Sequence, residues 1–202
     1  MKTKTINMRG FPCPKPMIEA KKELSKETTE GILVMVDNMP SVQNLEKFSK
    51  SINHDFSYVK KSNTVFEVTI IKTTTKSTLI NHQQLTTNHQ SPITYYGVSI
   101  GRDTMGDGEK ELGKILIKGF IYSLTELETP PKFIAFLNSG VFLTNENSNT
   151  IDDLKQLKEK GVEILSCGTC LNYYNLKKPA VGEVANMYEI VEKLSSTKTI
   201  NI

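Results

Sequence analysis

The chain has 202 residues, of which 38% are hydrophobic and 23% charged, a balance that is typical of folded domains and excludes wholesale disorder. Its formal net charge of +3 is too small to indicate nucleic-acid binding by itself. No stretch approaches the roughly 18 consecutive apolar residues of a membrane span, and the amino terminus lacks the apolar segment of a signal peptide. These features predict a cytoplasmic protein.

The distribution of charge divides the chain into two halves. Residues 1–80 contain 13 lysines and arginines against 8 acidic residues, a net charge of +5, whereas residues 92–202 contain 12 against 14, a net charge of −2. The polar segment 81–91 carries no lysine, arginine or acidic residue and is followed by a proline, which is typical of a linker. We predict two domains, 1–75 and 93–202, joined by a linker over 76–92. The alternative is a polar loop inside a single domain.

The first half is predicted to alternate strand, helix, strand and helix before two final strands. The expected strands are 3–7, 32–36 (ILVMV), 56–59 (FSYV) and 64–71 (TVFEVTII), the last two forming a hairpin. A helix should follow Pro14, and a second helix should begin after an N-cap at Ser41. This order predicts a two-layer α/β sandwich, with two helices packed on one sheet.

The second half alternates strands and helices more regularly, which predicts a parallel sheet covered on both faces. The expected strands are 94–100 (TYYGVSI), 133–137 (FIAFL), 162–166 (VEILS) and 197–202 (TKTINI). A long helix is expected over 109–127, and its apolar repeat predicts a buried face containing Leu112, Leu116, Phe120, Leu124 and Leu127. A second helix should end at Gly161, and a capping box from Asn186 to Glu189 should open the last one.

Cys13 lies at the first strand-to-helix turn, in the run Cys13-Pro14-Lys15-Pro16. Because proline is favoured at the first helical position, Cys13 is predicted to be the N-cap residue, with its sulfur near free N–H groups. Such a position lowers the pKa of a thiol and also stabilises a persulfide anion, and Arg9 and Lys15 add positive charge. The alternative is a structural cysteine beside two turn prolines.

The segment from Met8 to Met17 (MRGFPCPKPM) resembles the RGxxCPxP signature of TusA-like sulfur carriers, and the similarity extends to about residue 72. In that family the cysteine of the CPxP motif accepts sulfur as a persulfide and passes it on. The resemblance assigns this role to Cys13. It also implies that four neighbouring residues shape the turn, namely Arg9, Gly10, Pro14 and Pro16.

Two features depart from the TusA-like pattern. Asn7 stands where the family often has an aspartate, and Phe11-Pro12 is bulkier and stiffer than the usual pair. Neither feature involves the thiol itself. The carrier role implied for Cys13 is therefore retained, and the departures bear on the choice of partner.

The motif Cys167-Gly168-Thr169-Cys170 directly follows a predicted strand, at the carboxyl edge of the sheet, where α/β folds bind ligands. Two thiols at this spacing can form a disulfide or exchange a persulfide. Cys170 is the preferred sulfur-bearing thiol if it begins a helix, with Cys167 resolving it. A tight turn with incidental sulfurs and a zinc half-site are the alternatives. The run Asn138-Ser139-Gly140 follows the neighbouring strand and is a candidate wall of the same pocket, or else an ordinary turn.

Phosphate, metal and cofactor sites are not expected. The glycine-rich segment 101–109 lacks the lysine and hydroxyl pair of a phosphate-binding loop, and Asp103, Asp107 and Glu109 would repel an anion there. The histidines, at positions 54, 82 and 89, do not have the spacing of a metal site or of a cysteine-hydrolase triad. We therefore expect thiol chemistry with no metal and no cofactor.

A second resemblance is carried by five short segments of the second half: Asp103 to Gly108, Glu111 to Gly113, Asn138 to Val141, Cys167 to Leu171 and Asn186-Met187. The second half as a whole resembles the DsrE-like group, whose members fold as three-layer, flavodoxin-like parallel sheets and take part in sulfur relay. The five segments carry a narrower resemblance, of a TusA-like domain followed by a DsrE-like domain, to the YedF family, described as sulfurtransferase-like proteins of selenium metabolism.

These resemblances imply a sulfurtransferase-like carrier in which Cys13 receives sulfur or selenium as a persulfide or selenosulfide, with Cys167 and Cys170 as a relay pair. The implied partners are a cysteine desulfurase-type donor and an acceptor protein of sulfur or selenium metabolism. A homo-oligomer through the DsrE-like domain is also expected, and neither nucleic acid nor a membrane is an expected partner. The alternative function is a non-enzymatic binding or regulatory module with a redox-sensing C-x-x-C.

Overall fold

The computed structural model describes residues 3–12, 14–73 and 95–202. The chain divides into two compact units, Met1–Leu85 and Thr86–Ile202. The linker predicted over 76–92 lies outside the described residues, and Cys13 does too. The two domain ranges and the linker therefore stay predictions.

The first unit has the predicted order of two helices and four strands. Its elements are β1 (Thr3–Asn7), α1 (Lys15–Leu24), β2 (Gly31–Val36), α2 (Met39–Ser51), β3 (Asp55–Ser62) and β4 (Val65–Ile71). The strands form one sheet in the order β1-β2-β4-β3, in which β1 and β2 are parallel and β4 is antiparallel to both of its neighbours. The predicted sandwich and its closing hairpin are confirmed.

The core of the first unit lies between the sheet and the two helices. Buried and less buried residues alternate along β2 and β4, so that one face of the sheet is buried. Its buried side chains are Ile32, Val34, Val36, Phe66, Val68 and Ile70, and they pack with Ala20 and Leu24 of α1 and with Val42 and Leu45 of α2. Burial of each large side chain contributes about 1.5–3 kcal/mol. This packing holds in place the carboxyl ends of β1 and β2, from which the loops to α1 and α2 begin.

The start of α2 differs from the prediction. Asn38, in extended backbone conformation, is the N-cap residue, and its side-chain oxygen accepts a hydrogen bond from the backbone N–H of Ser41 at 2.9 Å. Ser41 is thus a buried residue inside the first turn rather than the cap. The prediction of Ser41 as N-cap was wrong because both side chains suit a cap, and the proline at the helix start allows the helix to begin earlier.

The second unit contains the parallel sheet that was predicted. Its elements are β5 (Tyr96–Ile100), α3 (Lys110–Thr125), β6 (Phe133–Phe136), a 3₁₀ helix (Asn138–Thr144), α4 (Ile151–Glu159), β7 (Glu163–Cys167), α5 (Gly168–Tyr173), β8 (Glu183–Ala185), α6 (Met187–Ser196) and β9 (Lys198–Asn201). All five strands are parallel, in the order β8-β7-β6-β5-β9. Flavodoxin has the order 2-1-3-4-5, so the flavodoxin-like character lies in the layers and the strand direction.

Both faces of this sheet are covered by helices, as expected. One face packs against α3 and α4 through a cluster that includes Val98, Ile100, Ile134, Phe136 and Ile164. The opposite face packs against Ile190 of α6 through Phe133, Ala135, Leu165 and Cys167. The two sets alternate along β6 and β7, which explains why β6, with the sequence FIAF, is continuously apolar.

The face that α3 buries differs in part from the predicted one, since Leu124 is buried as predicted. The buried residues are Gly113, Ile117, Ile121, Leu124 and Thr125, whereas Leu112 and Leu116 are 53% and 44% exposed. The helix is apolar around most of its circumference, so periodicity alone does not determine its orientation. Gly113 helps to determine it, because a Cβ there would lie 2.8 Å from the Cβ of Thr104. None of the helices in the described ranges has both the length and the hydropathy needed to cross a bilayer.

Candidate functional site

The loop between β1 and α1 carries the Cys13 motif and is fastened at two points. Gly10 has a positive φ of 78°, a conformation that glycine adopts without strain. Its backbone N–H donates to a carboxylate oxygen of Asp37 at 2.6 Å, at the end of β2. On the other side, the Asn7 side-chain oxygen accepts from the backbone N–H and from the Nε of Arg9, at 3.3 and 3.0 Å.

Asp37 is a site residue that the sequence analysis missed. The backbone hydrogen bond from Gly10 is the main cause that holds the pKa of Asp37 below its usual value, with the Asn38 amide and the charge of Arg9 acting in the same direction. The Asn38 amide donates to the second carboxylate oxygen at 2.8 Å. The available signal was its position, because β1 and β2 are parallel neighbours and their carboxyl ends meet at one edge.

The start of α1 corrects the predicted geometry around Cys13. Pro14, not Cys13, is the N-cap residue, since its carbonyl accepts the first helical hydrogen bonds, from the N–H groups of Met17 and Ile18, both at 3.1 Å. The N–H of Lys15 donates to the carbonyl of Pro12 at 3.1 Å. Pro14 and Pro16 have no N–H, and the N–H groups of Lys15 and Met17 already donate to backbone carbonyls. The first turn of α1 therefore does not supply the free N–H groups that were predicted for the sulfur.

Positive charge and an exposed aromatic ring remain beside the motif. The Lys15 ammonium lies 4.2 Å from the centroid of the Phe11 ring, within cation–π distance. Phe11 itself is 38% exposed. The Phe11-Pro12 pair, which departs from the TusA-like pattern, is therefore exposed at the surface of the loop.

Three loops meet at the carboxyl edge of the second sheet. The loop after β5 contacts the start of the 3₁₀ helix after β6, where the backbone N–H of Asp103 donates to the Ser139 hydroxyl at 3.2 Å. A Cβ on Gly140 would lie 2.3 Å from the carbonyl oxygen of Ile100, so only glycine fits this close approach. The third loop begins at Cys167, where β7 ends and α5 starts.

The two thiols of the C-x-x-C motif have different environments. Cys167 ends β7, is the N-cap residue of α5 and is fully buried in the apolar cluster under α6. Cys170 lies in the first turn of α5 and is half-buried between the two apolar clusters. Both are free thiols, and Cys170 packs against the cluster that contains Cys167. The helix begins at Gly168, so Cys170 does not begin it.

Asn138 joins the second loop to the thiol pair. Its backbone N–H donates to the Cys170 sulfur at 3.1 Å. Its side-chain oxygen accepts from the Tyr174 hydroxyl at 2.6 Å, and the Tyr174 ring packs on Phe142 with 4.8 Å between centroids. Asn138 has a positive φ of 46°, which is uncommon for a residue with a side chain. Tyr174 was not identified from the sequence, although it lies one helical turn after Cys170.

The environment raises the pKa of the Cys170 thiol. Burial is the largest cause and the hydrogen bond with Cys167 the second, while the N–H of Asn138 acts in the opposite direction. A thiol of raised pKa is mostly protonated at neutral pH, and the thiolate is the nucleophile. Cys170 therefore becomes more reactive as the pH rises.

Two surface pockets of the second unit lie away from the thiols. One is lined by residues that include Asp103, Lys114, Phe142 and Asn147, and the other lies between the β7–β8 edge and α6, with Glu183 and Glu192 in its lining. Neither is lined by the candidate pocket residues, which are Asn138, Ser139, Gly140, Gly168 and Thr169. Within the described part of the chain, no three His, Cys, Asp or Glu residues are grouped so as to hold a metal ion.

Comparison with known proteins gives matches to parts of the chain. The pattern of the sulfurtransferase TusA family matches residues 4–72. A SirA-like protein from Desulfitobacterium hafniense is 40% identical, over 35% of this chain and 96% of its own, with a TM-score of 0.32. A protein of unknown function from Methanobacterium thermoautotrophicum is 21% identical, over 54% of this chain and 99% of its own, with a TM-score of 0.39. No curated protein sequence matches the chain.

Proposed function

The chain belongs to the sulfurtransferase TusA family through residues 4–72, and we propose that Cys13 is the residue on which it carries sulfur or selenium, as a persulfide or selenosulfide. The family domain itself supports a sulfur-carrier, sulfurtransferase-like role. The observation that carries the assignment to Cys13 is that the Cys13-Pro14-Lys15-Pro16 run lies inside the matched residues.

The loop around the motif suits a carrier. Gly10 and Arg9 are fastened to Asp37 and Asn7, while Phe11 is exposed beside the Lys15 ammonium. A transfer needs no oxidant and no cofactor. The acceptor thiolate attacks the outer sulfur of the Cys13 persulfide, the sulfur–sulfur bond breaks, and Cys13 leaves as a thiolate while the acceptor becomes the persulfide.

The second unit is proposed to be a DsrE-like relay domain that acts through Cys167 and Cys170, with Asn138 to Gly140, Gly168 and Thr169 around them. The half-buried Cys170 thiol and its hydrogen bond from Asn138 support this role. The assignment to the YedF family and the part played by selenium rest on the sequence resemblance.

TusA family proteins pass sulfur to partner proteins. A cysteine desulfurase-type donor and an acceptor of sulfur or selenium metabolism are the proposed partners of this chain. A homo-oligomer through the second unit is also proposed, because α3 exposes a strip of large apolar side chains: Leu112, Ile115 and Leu116. Exposed apolar patches of this kind are typical of surfaces that contact another protein.

Intact-mass analysis after incubation with a cysteine desulfurase and cysteine tests the role of Cys13. We expect the full chain to gain one sulfur atom on the Cys13 peptide and the Cys13→Ala variant to lose that modification. Cys170→Ser serves as the matched control and should keep the sulfur on Cys13. A full persulfide load in Cys13→Ala would overturn the assignment.

The alternative function, a regulatory module with a redox-sensing C-x-x-C, is favoured by the neighbouring positions of Cys167 and Cys170 at the start of α5. The same experiment separates the two functions. A sensor would respond to a mild oxidant by losing both thiols to a disulfide, and it would take up no sulfur from the desulfurase on any cysteine.

A further inference from the structure

The two thiols of the second unit differ in access. Cys167 has no exposed surface and lies among Phe133, Ala135 and Leu165, in the cluster between the sheet and α6. Cys170 is half-buried, at the meeting point of the three edge loops. A sulfur donor from solution or from a carrier protein can therefore reach Cys170 and cannot reach Cys167 directly.

The two thiols are nevertheless neighbours, because Cys167 is the N-cap residue of α5, Cys170 lies three residues later in its first turn, and Cys170 packs against the cluster that contains Cys167. A persulfide formed on Cys170 would have its inner sulfur directly beside the Cys167 thiol. A thiol attacks a neighbouring sulfur–sulfur bond and releases the other sulfur, at a rate that depends on access and thiolate character.

We propose that the second unit releases the sulfur it receives as free sulfide, with Cys170 as the accepting thiol and Cys167 as the resolving thiol. This inference rests on the proposed function in one respect, namely that sulfur reaches the second unit. The corresponding product from a selenosulfide would be selenide.

The two steps balance in atoms and electrons. In the first, the Cys170 thiolate attacks the outer sulfur of the donor persulfide, and the donor leaves as a thiolate. In the second, the Cys167 sulfur attacks the inner sulfur of the Cys170 persulfide; a Cys167–Cys170 disulfide forms, and the outer sulfur leaves as sulfide, taking the proton of the Cys167 thiol. The persulfide is reduced and the thiol pair is oxidised. A dithiol reductant then restores both thiols by exchange.

Asn138 is the positioning residue for these steps. Its N–H, 3.1 Å from the Cys170 sulfur, favours an anionic sulfur there and keeps the side chain turned toward the loop. The Tyr174 hydroxyl holds the Asn138 side chain, which maintains a backbone with positive φ. The accepting sulfur is therefore held in one place between its donor and Cys167.

The experiment uses the full chain with Cys13→Ala, so that its outcome does not depend on the proposed carrier cysteine. The protein is reduced, separated from the small-molecule reductant and mixed anaerobically with glutathione persulfide as the donor. We expect one equivalent of sulfide per chain, together with a protein two hydrogens lighter that contains a Cys167–Cys170 disulfide. Adding dithiothreitol should restore both thiols and allow a second round.

Two further variants in the same background identify the roles. Adding Cys170→Ser should abolish both products and measures the sulfide that the donor releases by itself. Adding Cys167→Ala should leave a chain one sulfur atom heavier, with that sulfur on Cys170 and no sulfide above the Cys170→Ser level. If the parent chain keeps a stable persulfide on Cys170 with Cys167 free, or if Cys170 takes up no sulfur at all, the proposal is overturned.

Discussion

Asp37 shows how one carboxylate can fasten the loop that precedes Cys13. It accepts the Gly10 N–H at 2.6 Å and the Asn38 amide at 2.8 Å, so both of its oxygens are engaged. Hydrogen bonds to a charged group contribute more than those between neutral groups. The loop should thus be most firmly held when Asp37 is ionised.

The first prediction concerns the pH dependence of this contact. The pKa of Asp37 is lower in the folded chain than its usual value, so the contact stabilises fully above about pH 4 and is lost as the pH falls through the folded pKa. Asp37→Asn should reduce the free energy of unfolding by about 1 kcal/mol at neutral pH, allowing for partial exposure, and by less at pH 3. Urea unfolding at both pH values measures the difference.

Asp55→Asn is the matched control for this substitution, because Asp55 is an exposed aspartate at the start of β3. It should change stability little at either pH. An Asp37→Asn loss that is equal at both pH values would contradict the pH-dependent part of the prediction.

The second prediction concerns the reactivity of Cys170. Burial and the Cys167 hydrogen bond raise its pKa, so in the Cys13→Ala chain its alkylation by iodoacetamide should be slow at neutral pH. The rate should increase through pH values above the usual thiol pKa of about 8.5. Adding Cys167→Ala removes one cause and should shift this profile to lower pH.

The same chain unfolded in urea provides the reference profile for an ordinary cysteine. Because Cys167 has no exposed surface, it should react only after unfolding. If the alkylation rate of Cys170 increased at a lower pH in the folded chain than in the unfolded chain, the expected direction of the pKa would be contradicted.

At the scale of elements, close packing at the carboxyl edge of the second sheet holds the loops in place. Gly140, in the 3₁₀ helix after β6, lies directly against the backbone of Ile100 at the end of β5. Asn138 and Ser139 in the same turn contact Cys170 and the loop after β5. The position of the loop therefore depends on the absence of a side chain at Gly140.

The third prediction follows from this contact. Gly140→Ala places a Cβ 2.3 Å from the Ile100 carbonyl oxygen, so the backbone must shift, at a cost of about 1–3 kcal/mol. Hydrogen exchange of the full chain, measured by mass spectrometry, should become faster in β5 and β6. Gly108→Ala is the control, since a Cβ there would meet nothing within 4 Å. Equal effects of the two substitutions would contradict the prediction.

Elements with local sequence signals were predicted correctly. The capping box of α6 is formed by Asn186 and Glu189, and Gly161 after α4 has a positive φ, as a helix-ending glycine does. The buried face of α3 could not be predicted, because it depends on the contact of Gly113 with Thr104 rather than on periodicity. β8 is too short, at three residues, to carry a strand pattern.

The part of the candidate site that depends on parallel neighbouring strands could be predicted from the sequence. Parallel strands meet at one edge, which was enough to expect Asn138 and Cys170 on the same edge, and the structure places them in contact. Asp37 and Tyr174 were missed because their partners are a backbone N–H and a side chain far away in the sequence. The N-cap at Cys13 was wrong because Pro14 can itself fill that position.

At the scale of the whole molecule, two units with different sheets and opposite net charges are combined in one chain. The segment between them is predicted from its composition to be a linker, and it lies outside the described residues. If it is a linker, the two thiol sites belong to separately folded parts. Their chemistry would then depend on how often the parts meet.

The fourth prediction tests this organisation. A protease of broad specificity should cut the full chain first between residues 73 and 92, because this polar segment, with no lysine, arginine or acidic residue over 81–91 and few apolar residues, has little to bury. Amino-terminal sequencing and mass analysis of the earliest fragments locate the cut. Dominant early cleavage within 95–202 or 3–73 would contradict two independent domains.

The parallel sheet of the second unit has a consequence for how such proteins diversify. Its apolar clusters are built mainly from the long strands and helices, whereas Asn138 and Cys170 lie in short segments after β6 and β7, which add only a few buried residues such as Val141, Leu143 and Leu171. Exchanging the other side chains of these segments leaves the scaffold intact as long as those buried residues are kept. A designer could therefore graft a different thiol arrangement onto this edge, provided that Gly140 is kept, and natural lineages could alter the chemistry by the same route.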